Sequence, residues 1–193
     1  VTETLYITDV KKITGHHYSE FASGEHDTYG VKQIMPSKGK VWRHQFFVDQ
    51  LERVIDGIKN DPQGRRHLLS SWNPSDINNM ALPPCHYNFQ FFVDCDRLSG
   101  VLTMRSLDLF LGFGYDVIMY AALLHMVSQV CGYIPGELVI NATDTHIYLN
   151  HIDQVNEQIS REPKKLPKLI MNEKIKNIND FKLSDFMLDE YEH

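Results

Sequence analysis

Residues 117–130 are apolar on nearly every side of a helical turn, and a segment of that kind is stable only with other elements laid against it. They predict a helix buried in the middle of a domain, closed by Gly132 and Pro135. A chain of 193 residues, 42% of them hydrophobic, can build one good core around such a helix, and nothing in it marks a second domain. The expected partners are strands. Residues 87–93 and 98–104 alternate like a pair joined by an Asp94-Cys95-Asp96-Arg97 turn, and 67–72 reads as a further strand. Residues 138–141 and 146–149 form either another pair or one bulged strand. Phe47, Leu51, Val54, Ile55 and Ile58 fall at helical spacing and predict an amphipathic helix over 44–60, ended by Asp61-Pro62. A second amphipathic helix is expected over 150–160, and short strand-like pieces over 169–191. The fold class is therefore α+β, a mixed sheet with a buried central helix in one domain over 1–193.

A formal net charge of -6 argues against a broad nucleic-acid surface, so no DNA binding is expected, although a local basic pocket would hold a mononucleotide. Cys85, Cys95 and Cys131 have no paired spacing, which argues against a disulfide framework and a zinc site. No metal is expected. With no apolar run of membrane-spanning length and no signal-peptide pattern, the expected location is a reducing cytoplasm. The start at Val1 points to processing, trimming or residues further upstream.

Chemistry concentrates around Cys85. Met80-Ala81-Leu82-Pro83-Pro84 leads into it as a stiff extended segment, and the adjacent His86 is placed to donate or relay a proton. A thiol reacts as thiolate and needs positive charge nearby; Arg65, Arg66 and Arg105 are the obvious suppliers. The planar guanidinium fork also fits phosphate oxygens, so the same residues are candidates for gripping an anionic substrate. In isolation Cys85 reads as a buried structural thiol and the arginines as solvated loop charges. Cys95 and Cys131 have no such context and are read as packing residues.

The runs Arg65-Arg66-His67-Leu68-Leu69-Ser70-Ser71-Trp72-Asn73-Pro74, Met80 to Gln90, Arg105 to Gly112, Pro135-Gly136-Glu137 and Asp144 to His151 together resemble the thymidylate synthase superfamily of folate-dependent pyrimidine nucleotide C5 transferases. The resemblance implies that Cys85 adds to C6 of the pyrimidine, making C5 a nucleophile toward the one-carbon unit of 5,10-methylenetetrahydrofolate. It implies a homodimer in which Arg65 and Arg66 reach the partner's phosphate while Arg105 and Ser106 complete the grip. Arg105 would also lower the thiol pKa. His146 and Tyr148, two apart and on one face of a strand, would bind the sugar hydroxyl, and Gln90 the nucleotide. Tyr29 would help remove the C5 proton, and Glu3 would relay protons through water; otherwise Glu3 is a frayed terminal residue. Asp108, Leu111, Gly112 and Phe21 would contact the folate, although Asp108 alone reads as a cap for Leu109 onward. Relatives carry an upstream arginine loop and a folate-closing tail that are expected to be missing from this chain.

Two departures from the family pattern suggest the substrate. Where the synthases have an asparagine, Leu111-Gly112-Phe113-Gly114-Tyr115-Asp116 ends in aspartate. A carboxylate cannot donate to O4 of uracil, but it accepts from the amino group of cytosine and shares a proton with N3. The mismatch with uracil would cost about 1–3 kcal/mol per unpaired group. Asp116 alone reads as the cap of the buried helix. Phe21 stands where the synthases have a tryptophan associated with hydride transfer, tilting the last step toward water. Aspartate at 116 resembles the deoxycytidylate hydroxymethylase branch, as do Met104-Arg105-Ser106 and Gly112-Phe113, and that branch would imply a bacteriophage source. The alternatives are a thymidylate synthase or dUMP hydroxymethylase acting on dUMP and, in a different class, a non-catalytic nucleotide- or RNA-binding homologue.

Overall fold

The computed structural model describes residues 5–7, 30–34, 43–74 and 76–191, with side chains from residue 48 onward. Glu3, Phe21 and Tyr29 lie outside the described residues. The chain divides after Gln90 into two compact units, Val1–Gln90 and Phe91–His193.

In the first unit, β1 (Leu5–Ile7), β2 (Gly30–Ile34) and β3 (Arg43–Val48) form an antiparallel sheet in the order β1-β3-β2, with Phe47 opposite Tyr6 on one side and Gly30 on the other. The helix expected over 44–60 therefore begins only at α1 (Gln50–Asn60). Aromatic and β-branched residues in Phe46-Phe47-Val48 favour the strand, and Asp49 marks the change by accepting the Glu52 N–H at 3.0 Å as N-cap. The helical spacing that included Phe47 was coincidental. Val54, Ile55 and Ile58 are the buried stripe of α1, as expected. β4 (Leu68–Ser70) pairs antiparallel with the first part of β5 (His86–Asp94), Leu68 opposite Gln90 and Ser70 opposite Asn88. Gln50 ties α1 to β4 by donating to Ser70 O at 2.9 Å and accepting from Ser70 N at 2.8 Å.

In the second unit the remainder of β5 turns at Cys95-Asp96 into β6 (Arg97–Asp108). Cys95, read as a packing residue, is instead exposed in this turn with φ 54°. The hydrogen bond to Asp94 and its charge raise the Cys95 pKa, so this thiol resists becoming thiolate. Cys131 is half-buried at the end of a helix.

β6, α2 (Phe113–Cys131) and β7 (Ile134–His146) form a parallel crossover, a connection that places a helix over the strands it joins. β7 is one strand, with an irregularity opposite Leu98 and Gly100. There Ser99 Oγ accepts the Glu137 N–H at 3.0 Å, and a side chain at Gly136 would run into that oxygen. The core of the unit is Phe91, Val93, Leu98, Leu102, Met104 and Leu107 with Leu124, Val127 and Val130. Burial on α2 is uneven: these last three and Ser128 are covered, whereas Tyr115, Ile118 and Met119 stand 50% or more exposed. A crossover helix has only one face against its strands. Gly132, at φ 81°, ends α2 in the left-handed conformation, and Tyr133 N donates to Ser128 O at 2.8 Å.

The expected second amphipathic helix is α3 (Ile152–Ile159), preceded by a single turn at Leu149–His151. β8 (Lys168–Met171) and β9 (Phe186–Asp189) form an antiparallel hairpin. Gln129 fastens the connection to α2, donating to Asn172 O at 3.0 Å and Ile175 O at 2.9 Å.

Candidate active site

In the second unit the C-terminal ends of β6 and β7 lie in register, with Ser106 opposite Asp144 and Asp108 opposite His146. Such ends, where chains leave a parallel pair, are where α/β units bind ligands. Asp108 shapes the exit. Its Oδ1 accepts the N–H groups of Phe110 and Leu111, each at 3.1 Å, which is the capping role expected of it taken alone. A Cβ on Gly112 would stand 3.1 Å from Asp108 O and 3.7 Å from Asp116 Oδ2. Gly112 thus lets the start of α2 close down on the end of β6 and brings Asp116 beside Asp108.

Asp116 does not occupy the N-cap position predicted for it. That position belongs to Gly112, because the turn tied by Asp108 lets the helix start at Phe113. Asp116 lies within the first turn, its N–H donating to Gly112 O at 3.0 Å, where the helix dipole favours a negative charge. Arg105 and Ser106 are both half-buried on β6.

His146 and Tyr148 are brought together, but not by a shared strand face: β7 ends at His146 and Tyr148 leads into the next turn. Their rings meet edge to face with centroids 5.1 Å apart. His151 continues the cluster, 5.7 Å from Tyr148 and 5.5 Å from Phe110. Asp144 Oδ2 lies 3.9 Å from His146 Nδ1, beyond hydrogen-bond reach. Nδ1 of His146 and Nδ1 of His151 are buried without a hydrogen-bond partner. Sequence reasoning missed His151 and Phe110. The spacing in His146-Ile147-Tyr148-Leu149-Asn150-His151 was visible, but only the turn after β7 sets the last ring against the others.

In the first unit Cys85 is the half-buried residue immediately before β5. Ser71 pins the start of that strand: its N–H donates to Tyr87 O at 3.1 Å and its hydroxyl to His86 O. Trp72 and Tyr87 meet edge to face at 6.3 Å. Arg65 and Arg66 are exposed on the loop between α1 and β4, and Gln90 is half-buried in β5. The structure thus groups the predicted residues in two sets: Arg65, Arg66, Cys85, His86 and Gln90 in the first unit, and Arg105, Ser106, Asp108, Leu111, Gly112, Asp116, His146 and Tyr148 in the second.

Among the described residues no group of three or more His, Cys, Asp or Glu is arranged to hold a metal ion. No described helix is long and apolar enough to cross a membrane.

The amino-acid sequence that builds this α+β frame has matches among known proteins. The thymidylate synthase family model matches residues 4–193. A thymidylate synthase of Mycoplasma mobile is 49% identical over 160 residues, 83% of this chain and 56% of the relative. One from Aster yellows witches'-broom phytoplasma is 50% identical over 157 residues, 81% of this chain and 54% of the relative. The chain belongs to the thymidylate synthase family. It spans about half the length of these curated relatives.

Proposed function

We propose that this protein transfers a one-carbon unit to C5 of a pyrimidine deoxynucleotide, and that its substrate is dCMP. The observation that carries the choice of base is Asp116, a carboxylate in the first turn of α2 beside Gly112 and the end of β6. Its acceptor oxygens match the cytosine amino group, and a proton shared with N3 draws electrons from C6. Cys85 is the nucleophile at C6, with His86 at hand for proton transfer. Arg105 and Ser106 hold phosphate within the subunit, and Arg65 and Arg66 hold it across a homodimer interface. His146 and Tyr148 take the sugar hydroxyl, and Gln90 helps fix the nucleotide. Tyr29 and Glu3 are assigned to proton removal and relay.

For the folate, the fit rests on Asp108 and Leu111. One carboxylate oxygen of Asp108 holds the turn, and exposed Leu111 next to Gly112 offers apolar surface for a flat heterocycle. When bound, 5,10-methylenetetrahydrofolate supplies the carbon. With Phe21 in place of the synthase tryptophan, water completes the reaction and the product is 5-hydroxymethyl-dCMP, as in a bacteriophage that modifies its DNA.

The second reading, methylation of dUMP, is favoured by the thymidylate synthase names of both relatives. Incubation with methylenetetrahydrofolate and either dCMP or dUMP, with product masses measured, separates the two. Turnover of dCMP and its transfer to dUMP in Asp116→Asn are expected, a reversal of tens of fold for about 2–3 kcal/mol of mismatched hydrogen bonding. Turnover of dUMP alone by the unaltered protein would remove the role given to Asp116.

A further inference from the structure

One buried polar side chain has no part in this chemistry: His67, 4% exposed and directly after Arg65-Arg66. An imidazole is costly to bury unless its polar atoms find partners. Its Nε2 lies 3.0 Å from the carbonyl oxygen of Asp61. A carbonyl only accepts, so Nε2 carries the hydrogen and donates. The same oxygen accepts the Gly64 N–H at 2.8 Å, while Asp61 N donates to Gly57 O in the last turn of α1 at 2.8 Å.

The ring fills space that two glycines leave. A Cβ on Gly57 would come within 2.9 Å of His67 Nδ1, and one on Gly64 within 3.1 Å of Cε1. Residues 61–67 are therefore a closed loop, fastened at its start by the end of α1 and at its finish by the His67 ring folding back onto Asp61. Its exposed tip carries Arg65 and Arg66. At the other side of the tip, Leu68 N donates to Arg66 O at 2.9 Å as the chain enters β4. A loop closed before its ligand arrives loses little backbone freedom on binding.

We propose that His67 is the positioning residue of an anion-binding loop: by fastening residues 61–67 it preorders Arg65 and Arg66 for a phosphate monoester. The inference rests on the reading of these arginines as the phosphate grip. His67 touches no ligand and acts only through the backbone it fixes. Leucine at 67 fills much of the same volume but cannot donate, whereas glutamine restores a donor within reach of Asp61 O.

The test uses the full chain, with His67→Leu, His67→Gln and Gly64→Ala. Amide hydrogen exchange across residues 61–68 reads the loop without any ligand, and His67→Leu is expected to exchange there roughly tenfold faster with α1 unchanged. With dCMP, KM is expected to rise roughly tenfold and kcat to stay within about twofold, the effect of lost ordering at one end of the substrate. Binding of deoxycytidine, which has no phosphate, is expected to stay the same, and His67→Gln to restore most of the dCMP affinity. Gly64→Ala presses a methyl on Asp61 and His67 and should give the same selective loss, so it carries the comparison if His67→Leu does not fold. Unchanged exchange in the loop, or equal weakening of dCMP and deoxycytidine, overturns the positioning role while leaving the phosphate reading intact. If the unaltered protein binds dCMP no better than deoxycytidine, the phosphate reading itself falls and the role of His67 with it.

Discussion

The β6-α2-β7 crossover and the stretch from residue 61 to residue 90 place their candidate groups by different means. In the crossover, Ser106, Asp108, Asp116 and His146 follow from strand register and from one tight turn, over a core that includes Leu102, Met104 and Val127. In the other stretch, short β4 and long connections present Arg65, Arg66 and Cys85, and single side chains of Gln50, Ser71 and His67 supply the fastening. Apolar packing is collective, whereas a pin is one or two hydrogen bonds, so stability and function should separate between the two regions.

Replacing Cys85 by Ala should break the comparison most sharply. Turnover is expected to fall by roughly 10³-fold or more while the melting temperature barely moves, because the lost group is a nucleophile and not a core residue. Rapid-quench assays and calorimetry on the same sample check both halves, and retained turnover would reassign the nucleophile. Leu102→Ala should do the reverse in the crossover. Leu102 is fully buried, and its truncation is expected to cost about 2–5 kcal/mol in urea unfolding.

Gln50→Ala should fall between them. It removes both hydrogen bonds to Ser70 and is expected to cost about 1–2 kcal/mol, with faster amide exchange confined to β4 and the residues beside it. Loss spread evenly over the protein would show that the pin belongs to the common core after all. The smallest effect concerns His125 in the middle of α2, whose pKa burial pushes below its ordinary 6.5. The unfolded chain then takes up the proton more readily than the folded one, so this residue's stability contribution is intact above about pH 6.5 and is lost as the pH falls toward the folded pKa. Denaturation midpoints at about pH 7.5 and about pH 5.5 should differ less in His125→Asn than in the unaltered protein.

Residues 117–130 announced a helix through their apolar composition, and Gly132 its end, because composition and a glycine stop are local properties. Residues 87–104 announced their hairpin through alternation. The start of α1 was misread since Phe47 fits a helical spacing by accident; pairing with β1 and β2 decides that it is strand, and pairing is not local. Asp108 was legible in both its readings, but only the backbone shows the turn it ties. His67 and His151 drew no attention. Both lie within runs that carry the family resemblance, but no chemical role was read into them, and what distinguishes them is burial and neighbours.

The order of residue types along the chain determined which groups are available: a cysteine after two prolines, paired arginines, and an aspartate at 116 where the family resemblance implies asparagine. It determined the family as well, since motif spacing survives in one dimension. Tertiary structure alone decided that Asp116 enters the first turn of α2 beside Asp108, that His146 and Tyr148 meet around a turn rather than along a strand, and that His67 fastens the arginine loop. Each of these depends on how the backbone turns between residues only a few positions apart, and that turn is set by register, close approach at glycine and burial.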